Sequence, residues 1–314
     1  MLRRSLLAAI ALASFAPLRV AAQPAALPVR IATIPLGTGM EPNIAMEMGF
    51  YKRAGLDATV QTIANGAQIT AGVVSGSIDI GFSNLLSVAQ AFERGIPVVV
   101  LFPGGLALAD EPNGAIMVAK DSGITSGHDL NGKTIGIPGL GNMTQLGPMA
   151  WIDQHGGDSK TAHWVEIPFA ALAPAIAQHR IDAAYIAEPF LTPAKAANRI
   201  LGNPLDAISP RFASSAWFAT KEWAAAHPEV VARFISATTE TARWAKSHQR
   251  ETIPLMAKYL KVPEAELTRL PPNTYSDAFV VSEFQPLLDT AAKYGLLKRR
   301  ISVDELAYHA PAAK

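Results

Sequence analysis

The sequence predicts an α/β protein of two similar lobes, each a doubly wound, mostly parallel sheet with helices on both faces. Stretches of strand length alternate with stretches of helical length along residues 29–187, and this alternation favours parallel sheets. The stretch 96–102 is apolar throughout, which is typical of a strand buried on both faces of such a sheet. A short pattern is also written twice, which predicts two copies of one supersecondary unit.

The two copies of this pattern lie 103 residues apart. Ile-Pro at 34–35 and Ile-Asp at 78–79 return as Ile-Pro at 137–138 and Ile-Asp at 181–182. Because one offset fits both ends, we expect an alignment without a gap. Two like lobes facing each other form a cleft, where small ligands commonly bind.

In the first lobe, proline and glycine mark the predicted ends of helices. Pro42 suits the first turn of a helix, and Gly55 suits the left-handed residue that ends it. Glycines at 76 and 95 likewise follow apolar helical stretches. The predicted elements are a strand at 29–34, a helix from 42 to about 53, a strand at 57–63, a helix at 67–75, a strand at 78–82, a helix at 84–94 and a strand at 96–102.

The second lobe repeats this order, and a helical tail follows it. Its predicted elements are a strand at 133–137, a helix at 144–154, a strand at 162–167, a helix at 170–178 and a strand at 181–187. Beyond residue 209 we predict a short strand at 217–219 and helices at 228–247, 251–260, 264–270 and 277–294. We therefore expect a discontinuous lobe I of residues 28–112 and 214–314, on which the tail packs, and a lobe II of residues 113–213.

The first 22 residues have the pattern of an export signal. Arg3 and Arg4 precede an apolar stretch at 6–16, and the small residues at 20–22 favour cleavage before Gln23. The stretch contains no cysteine for a lipid anchor, so we expect a free periplasmic protein. Removing it leaves 24 basic and 26 acidic residues, in place of 27 and 26.

Composition excludes several functions. The chain has no cysteine, which rules out disulfides, thiolate metal sites and cysteine nucleophiles. A nearly neutral mature protein is a poor candidate for binding nucleic acid. The seven histidines lack metal-ligand spacing, and there is no G-x-S-x-G motif. We therefore predict no catalytic residues, no metal and no cofactor.

Candidate ligand contacts follow from one rule, that ligands bind at the carboxyl ends of strands in an open parallel sheet. Glycine-rich loops at 37–39 and 139–141 lead into helices, whose N-termini favour anions. The predicted ligand-binding residues are Thr38, Gly39, Met40, Asn65, Ser83, Asn84, Gly141, Asn142, Met143, Thr144, Glu188 and Trp217. Each has a structural alternative: the Asn, Ser and Thr residues could be helix caps, whereas Met40, Met143 and Trp217 could be core.

Four stretches together resemble the periplasmic solute-binding proteins of ABC importers, in the nitrate/sulfonate/taurine and thiamine-precursor (NMT1/THI5-like) group. They are AMEMGFYKRAGLD at 45–57, VVSGSIDIG at 73–81, DSGI at 121–124 with DLNGKTIG at 129–136, and IDAA at 181–184 with Glu-Pro at 188–189. One departure is His179-Arg180, which stands where the group usually has glycine; this turn is expected to lie far from the ligand.

The resemblance implies a type II periplasmic binding protein fold with a closing cleft. It also implies delivery of a small molecule to a membrane permease and its ATPase. A monomer is the default expectation for a carrier that must diffuse. The group's ligand loops correspond to residues 38–40, 83–84, 142–144 and 188. Within the group we expect a small organic acid, such as a sulfonate, taurine or a small aromatic acid.

Other functions stay open at this point. A neutral pyrimidine precursor of thiamine is the alternative ligand, because the expected cleft loops contain Glu188 and no basic residue. A pyrimidine-precursor synthase shares the implied fold but depends on a cysteine-rich motif that is missing here. A ligand-sensing subunit of a membrane receptor would have the same sequence features.

Overall fold

The computed structural model describes residues 25–63 and 66–310, so the predicted export signal lies outside the described residues. The elements up to the first crossover between sheets are β1 (Leu27–Thr33), α1 (Glu41–Glu47), α2 (Phe50–Arg53), β2 (Leu56–Thr62), α3 (Gly66–Val74), β3 (Ile80–Asn84), α4 (Leu85–Glu93), β4 (Val98–Pro103) and β5 (Leu106–Leu108). The next are β6 (Gly114–Ala119), β7 (Thr134–Ile137), α5 (Met143–Gln154), β8 (His163–Glu166), α6 (Phe169–Ala177), β9 (Ala183–Ala187), α7 (Leu191–Ala194), β10 (Asn198–Gly202) and β11 (Arg211–Ala213). The last are β12 (Ser215–Thr220), α8 (Lys221–Ala226), α9 (Pro228–Ser247), α10 (Gln249–Leu260), α11 (Glu264–Leu267), α12 (Val281–Lys293) and α13 (Val303–Leu306).

Two five-stranded sheets have the same strand order. Sheet I runs β2-β1-β3-β12-β4, and sheet II, read in the same sense, runs β8-β7-β9-β6-β10. In each sheet the first three strands are parallel, and the fourth is antiparallel to both of its neighbours. The chain crosses between the sheets twice, and the crossovers pair as the antiparallel strands β5 and β11. The fold is therefore mixed α/β with two mostly parallel sheets, as predicted.

Helices cover both faces of each sheet. In sheet I, α3, α4 and α12 pack on one face, and α2, α8 and α9 pack on the other. In sheet II, α6 and α7 cover one face and α5 covers the other. Among the described residues, none of the helices combines the length and apolar character that crossing a membrane requires.

The strand pairing shows that the expected alignment of the two repeats without a gap is wrong. Ile80 and Ala183, in the third strand of each unit, are 103 residues apart, but their partners Ile31 and Ile135 are 104 apart. The loop that follows β8 is one residue shorter than the loop that follows β2, which accounts for the difference. The two Ile-Pro pairs are therefore displaced by one position, although the units themselves are equivalent.

Asp79 and Asp182 occupy equivalent positions and have the same structural role. The backbone N–H of Arg30 donates to Asp79 Oδ2 at 2.7 Å, and that of Thr134 donates to Asp182 Oδ2 at 2.8 Å. Each carboxylate thus fastens the start of the third strand to the first strand.

Two predicted elements differ in detail. The single helix from residue 42 to 53 is broken, because Gly49 adopts a φ of 71° that cannot continue an α-helix. The apolar strand β4 is buried throughout, yet it pairs antiparallel with β12 at one end of sheet I. Its outer edge is covered by the chain near the C-terminus, where the Tyr308 N–H donates to the Val100 carbonyl at 2.8 Å.

Candidate functional site

A cavity of about 790 Å³ lies between the two sheets. It opens at the carboxyl ends of the parallel strands of both sheets, which is where ligands bind in open parallel sheets. The lining residues come from both units and from one later segment: Ile34, Pro35, Leu36, Gly37, Thr38, Gly66, Phe82, Ser83, Asn84, Asn113, Pro138, Asn142, Met143, Thr144, Glu166, Pro168, Phe169, Ala170, Tyr185, Ala187, Glu188, Phe190, Leu205, Ser214, Ser215 and Asn273.

Ser83 lines this cavity and contains a buried polar atom. The residue is fully buried near the carboxyl end of β3, and its Oγ has no hydrogen-bond partner in the described part of the chain. A buried hydroxyl without a partner costs about 1–3 kcal/mol of desolvation. A ligand that bonds to Ser83 Oγ would recover part of that cost.

Asn84 and Asn142 both cap helices and line the cavity. Asn84 Oδ1 accepts the Ser87 N–H at 2.9 Å at the start of α4. Asn142 Oδ1 accepts from the Thr144 N–H at 2.8 Å and from the Thr144 hydroxyl at 2.6 Å, at the start of α5. The caps place the N-termini of two helices at the cavity, one from each half. The capping alternative is therefore correct for both residues, and it leaves the Asn142 Nδ2 group without a partner among the described residues.

Two carboxylates are the charged groups in the described lining. Glu188 follows β9 and accepts two hydrogen bonds from Thr192, from its hydroxyl at 2.6 Å and from its backbone N–H at 3.1 Å. Glu166 ends β8 and accepts the Leu140 N–H at 3.3 Å. The described lining contains no lysine, arginine or histidine. The cavity is therefore electronegative apart from its helix N-termini.

Aromatic rings form the wall of sheet II. Phe169 and Phe190 stack with ring centroids 5.8 Å apart and planes 3° from parallel. Burial raises the pKa of the Tyr185 phenol far above its usual value, so the hydroxyl stays protonated. Flat apolar faces beside a few polar groups suit a small planar ligand.

Four predicted contacts do not line the cavity. Gly39 is buried and its carbonyl accepts the Thr33 hydroxyl at 2.6 Å, so it shapes the turn at Gly37–Gly39. Met40 is buried against α1 and α10, and Trp217 is buried beneath sheet I. Gly141 lies beside the cavity, and its carbonyl accepts from Gln90 Nε2 at 2.6 Å.

The remaining predicted residues divide in two groups. Thr38, Ser83, Asn84, Asn142, Met143, Thr144 and Glu188 are brought together around the cavity. Asn65 lies outside the described residues.

Some lining residues were missed at the sequence level. Glu166 lies near the end of the strand predicted at 162–167 and Phe169 follows that strand, so the rule of carboxyl ends could have found them. Asn273 follows a proline pair far from any predicted strand, and no pattern in the sequence points to it. Within the described residues, no group of three or more His, Asp or Glu side chains could hold a metal.

Comparison with known proteins agrees with this architecture. A binding protein of Brucella abortus (strain 2308) is 27% identical over 252 residues, which cover 77% of this chain and 74% of the relative. The 4-amino-5-hydroxymethyl-2-methylpyrimidine phosphate synthase of Schizosaccharomyces pombe is 30% identical over 103 residues, only 33% of this chain and 29% of the enzyme.

The fold also matches that of a solved binding protein. The crystal structure of the periplasmic aliphatic sulphonate binding protein SsuA from Escherichia coli superposes with a TM-score of 0.74 at 18% identity, over 90% of this chain and 97% of that one. The fold is therefore that of the periplasmic binding proteins. The family model described as NMT1/THI5 like matches residues 43–252, about two thirds of the sequence, and the chain belongs to the NMT1/THI5-like family.

Proposed function

We propose that this protein is the periplasmic solute-binding component of an ABC importer. The observation that carries the proposal is the unpartnered Ser83 hydroxyl, buried in a cavity that both halves of the fold line. The cavity lies between two units that are connected through β5 and β11, so movement of the units about those strands can close it. The relatives that match most of the chain, together with SsuA, support binding rather than catalysis.

The charges of the cavity favour a neutral or amine-bearing ligand. At an effective dielectric constant of about 20, a unit charge about 5 Å from a carboxylate interacts by about 3 kcal/mol. A helix N-terminus contributes about 0.3–1 kcal/mol, or up to about 2 when partly buried. For a ligand that lies near the carboxylates, the electrostatic interaction with Glu166 and Glu188 is therefore stronger than the interaction with the N-termini of α4 and α5. The stacked phenylalanines add a flat surface that suits a ring such as a pyrimidine.

A small organic acid, which was the ligand expected first from the sequence, is the second candidate. Two helix N-termini at one cavity favour an anion, and SsuA binds aliphatic sulphonates. Such a ligand would have to lie on the α4 and α5 side of the cavity, away from Glu166 and Glu188.

A thermal-shift screen followed by calorimetry separates the two candidates. The panel contains 4-amino-5-hydroxymethyl-2-methylpyrimidine, taurine, ethanesulfonate and benzoate. We expect the largest shift and the tightest binding with the pyrimidine. A response to the sulfonates or benzoate alone would reverse the ligand class, and no response to any compound would count against the proposed function. Loss of uptake of the bound compound in cells lacking the gene would separate import from a purely sensory role.

A further inference from the structure

A segment from the C-terminal third of the chain closes one side of the cavity. Residues 271–276 follow α11, and Asn273 within this segment lines the cavity. The backbone is fixed immediately after Asn273. The Leu106 N–H donates to the Thr274 carbonyl at 2.9 Å, and the Ser276 N–H donates to the Gly104 carbonyl at 3.0 Å. The segment is therefore anchored to the first crossover between the sheets.

The same segment fixes the loop that follows β1. Tyr275 is buried, and its hydroxyl donates to the Gly37 carbonyl at 2.7 Å. The side-chain amide of Asn273 lies against Gly37 so closely that a Cβ at Gly37 would overlap it. Gly37 and Asn273 thus form one continuous piece of the cavity wall.

The amide of Asn273 has unused hydrogen-bonding capacity. Among the described residues, its Nδ2 donates a hydrogen bond only to the Met256 sulfur, a weak acceptor 3.6 Å away, and its Oδ1 accepts none. An amide that faces a cavity from a fixed backbone is well placed to select ligands by their donors. In the part of the chain that the structure describes, no hydrogen bond of the fold depends on Asn273 Oδ1.

We propose that Asn273 is a specificity-determining residue of this cavity, whose Oδ1 accepts a hydrogen bond from an N–H or O–H group of the ligand. The inference rests on the proposed function and adds to it a contact from a part of the chain that no strand-end rule selects. The ligand class it favours carries an amine or hydroxyl donor on a small ring.

Calorimetry with a matched pair of rings tests the inference. The probes are 4-amino-5-hydroxymethyl-2-methylpyrimidine and 2-methylpyrimidine, which has no N–H or O–H group. Asn273→Ala should weaken binding of the first probe about tenfold and leave the second unchanged, so the ratio of the two affinities falls. The melting temperature should not change. Asn203→Ala, which alters an asparagine outside the cavity lining, is the control and should leave both affinities unchanged.

A second variant tests the contact through Gly37. Gly37→Ala should displace the Asn273 amide and weaken binding of the first probe. The double variant Gly37→Ala with Asn273→Ala should bind this probe no more weakly than the weaker-binding single variant does. If Ser83→Ala weakens the first probe but Asn273→Ala does not, the inference is overturned and the proposed function stands. An equal loss for both probes in Asn273→Ala would also overturn it, since that shows a purely structural role. Failure of the wild-type protein to bind either pyrimidine would overturn the inference together with the proposed ligand class.

Discussion

The indole Nε1 of Trp217 donates a 2.8 Å hydrogen bond to Oε2 of Glu41, and both side chains are buried beneath sheet I. The other carboxyl oxygen of Glu41 has no partner in the described part of the chain. Burial raises the pKa of Glu41 to about 8, and the bond from Trp217 offsets only part of that effect. Glu41 is therefore protonated at neutral pH, and it belongs to the core rather than to the ligand site.

Glu41→Gln should change how stability depends on pH. In the unfolded chain the carboxyl ionises near its ordinary pKa of 4.5, whereas in the folded protein it holds its proton up to about pH 8. The unfolded state therefore binds fewer protons between these values, and the free energy of unfolding of the wild type falls as pH rises. Glutamine keeps an acceptor for Trp217 and does not titrate. Between pH 5 and 8 the wild type should lose roughly 3–4 kcal/mol relative to the variant.

Urea denaturation at both pH values measures this difference. Glu222→Gln, on the exposed surface of α8, is the control and should leave the pH dependence as in the wild type. Parallel curves for the wild type and Glu41→Gln would show that the buried carboxyl does not control this slope.

Loss of the Ser83 hydroxyl should weaken ligand binding without destabilising the fold. The hydroxyl makes no hydrogen bond to the described protein, so Ser83→Ala breaks no hydrogen bond of the described fold. The affinity for 4-amino-5-hydroxymethyl-2-methylpyrimidine should fall by about 1–3 kcal/mol in calorimetry, while the free energy of unfolding stays equal or rises. An unchanged affinity would contradict the assignment of Ser83 as a ligand contact, on which the proposed site depends.

Asn84→Ala and Asn142→Ala should each affect both binding and stability. Each residue lines the cavity and caps a helix, so we expect binding weaker by roughly 1–3 kcal/mol and a fold weaker by about 1 kcal/mol. Asn203→Ala removes the cap of a short helical turn at Pro204–Ala207 and should reduce stability alone. Calorimetric affinities unchanged in both cavity variants would reject these residues as ligand contacts.

Gln90 connects the helices of sheet I to the loop that precedes α5. Its Nε2 donates to the Gly141 carbonyl at 2.6 Å and to the Leu296 carbonyl at 3.1 Å. Gln90→Ala should weaken binding up to about tenfold, because Asn142 and Thr144 lose a support that comes from the other half. The radius of gyration of the ligand-free protein in small-angle scattering should increase. Gln61→Ala on exposed β2 is the control, and an unchanged radius and affinity for Gln90→Ala would contradict the connection.

His179 and Gly76 occupy equivalent turns with a positive φ, of 53° and 74° respectively. A left-handed conformation costs a residue with a side chain roughly 1–2 kcal/mol. His179→Gly should therefore raise the free energy of unfolding by up to about 1 kcal/mol, and Gly76→His should lower it. Neither residue lines the cavity, so ligand affinity should stay constant in both variants. Chemical denaturation and calorimetry on the two proteins check both statements, and a stability loss in His179→Gly would contradict the first.

Much of the fold could be predicted because each local signal agreed with the tertiary structure. Gly55, Gly76 and Gly95 adopt the left-handed conformations expected at helix ends, and α9 begins and ends at the predicted residues. The strand β6 was missed because it follows directly on an irregular crossover. The antiparallel pairing of β4 was also missed, since an apolar strand does not reveal the direction of its neighbour.

The candidate site could be predicted only where it follows strand ends. Thr38, Ser83, Asn142 and Glu188 reach the cavity by that rule. Trp217 was predicted as a contact but does not line the cavity, because a large apolar side chain near a strand end is as readily buried in the core. Asn273 lies at the cavity because the residues after it, Thr274 and Ser276, form backbone hydrogen bonds with Leu106 and Gly104. Such tertiary contacts leave no periodic pattern in the sequence.

The crystal structure of the protein grown with 4-amino-5-hydroxymethyl-2-methylpyrimidine tests the central claim most directly. We predict electron density for the ring between the two sheets, beside Phe169 and Phe190, with donors directed to Ser83, Asn273 or Glu188. Density only outside this cavity, or a cavity without the ring under conditions where calorimetry shows binding, would contradict the account.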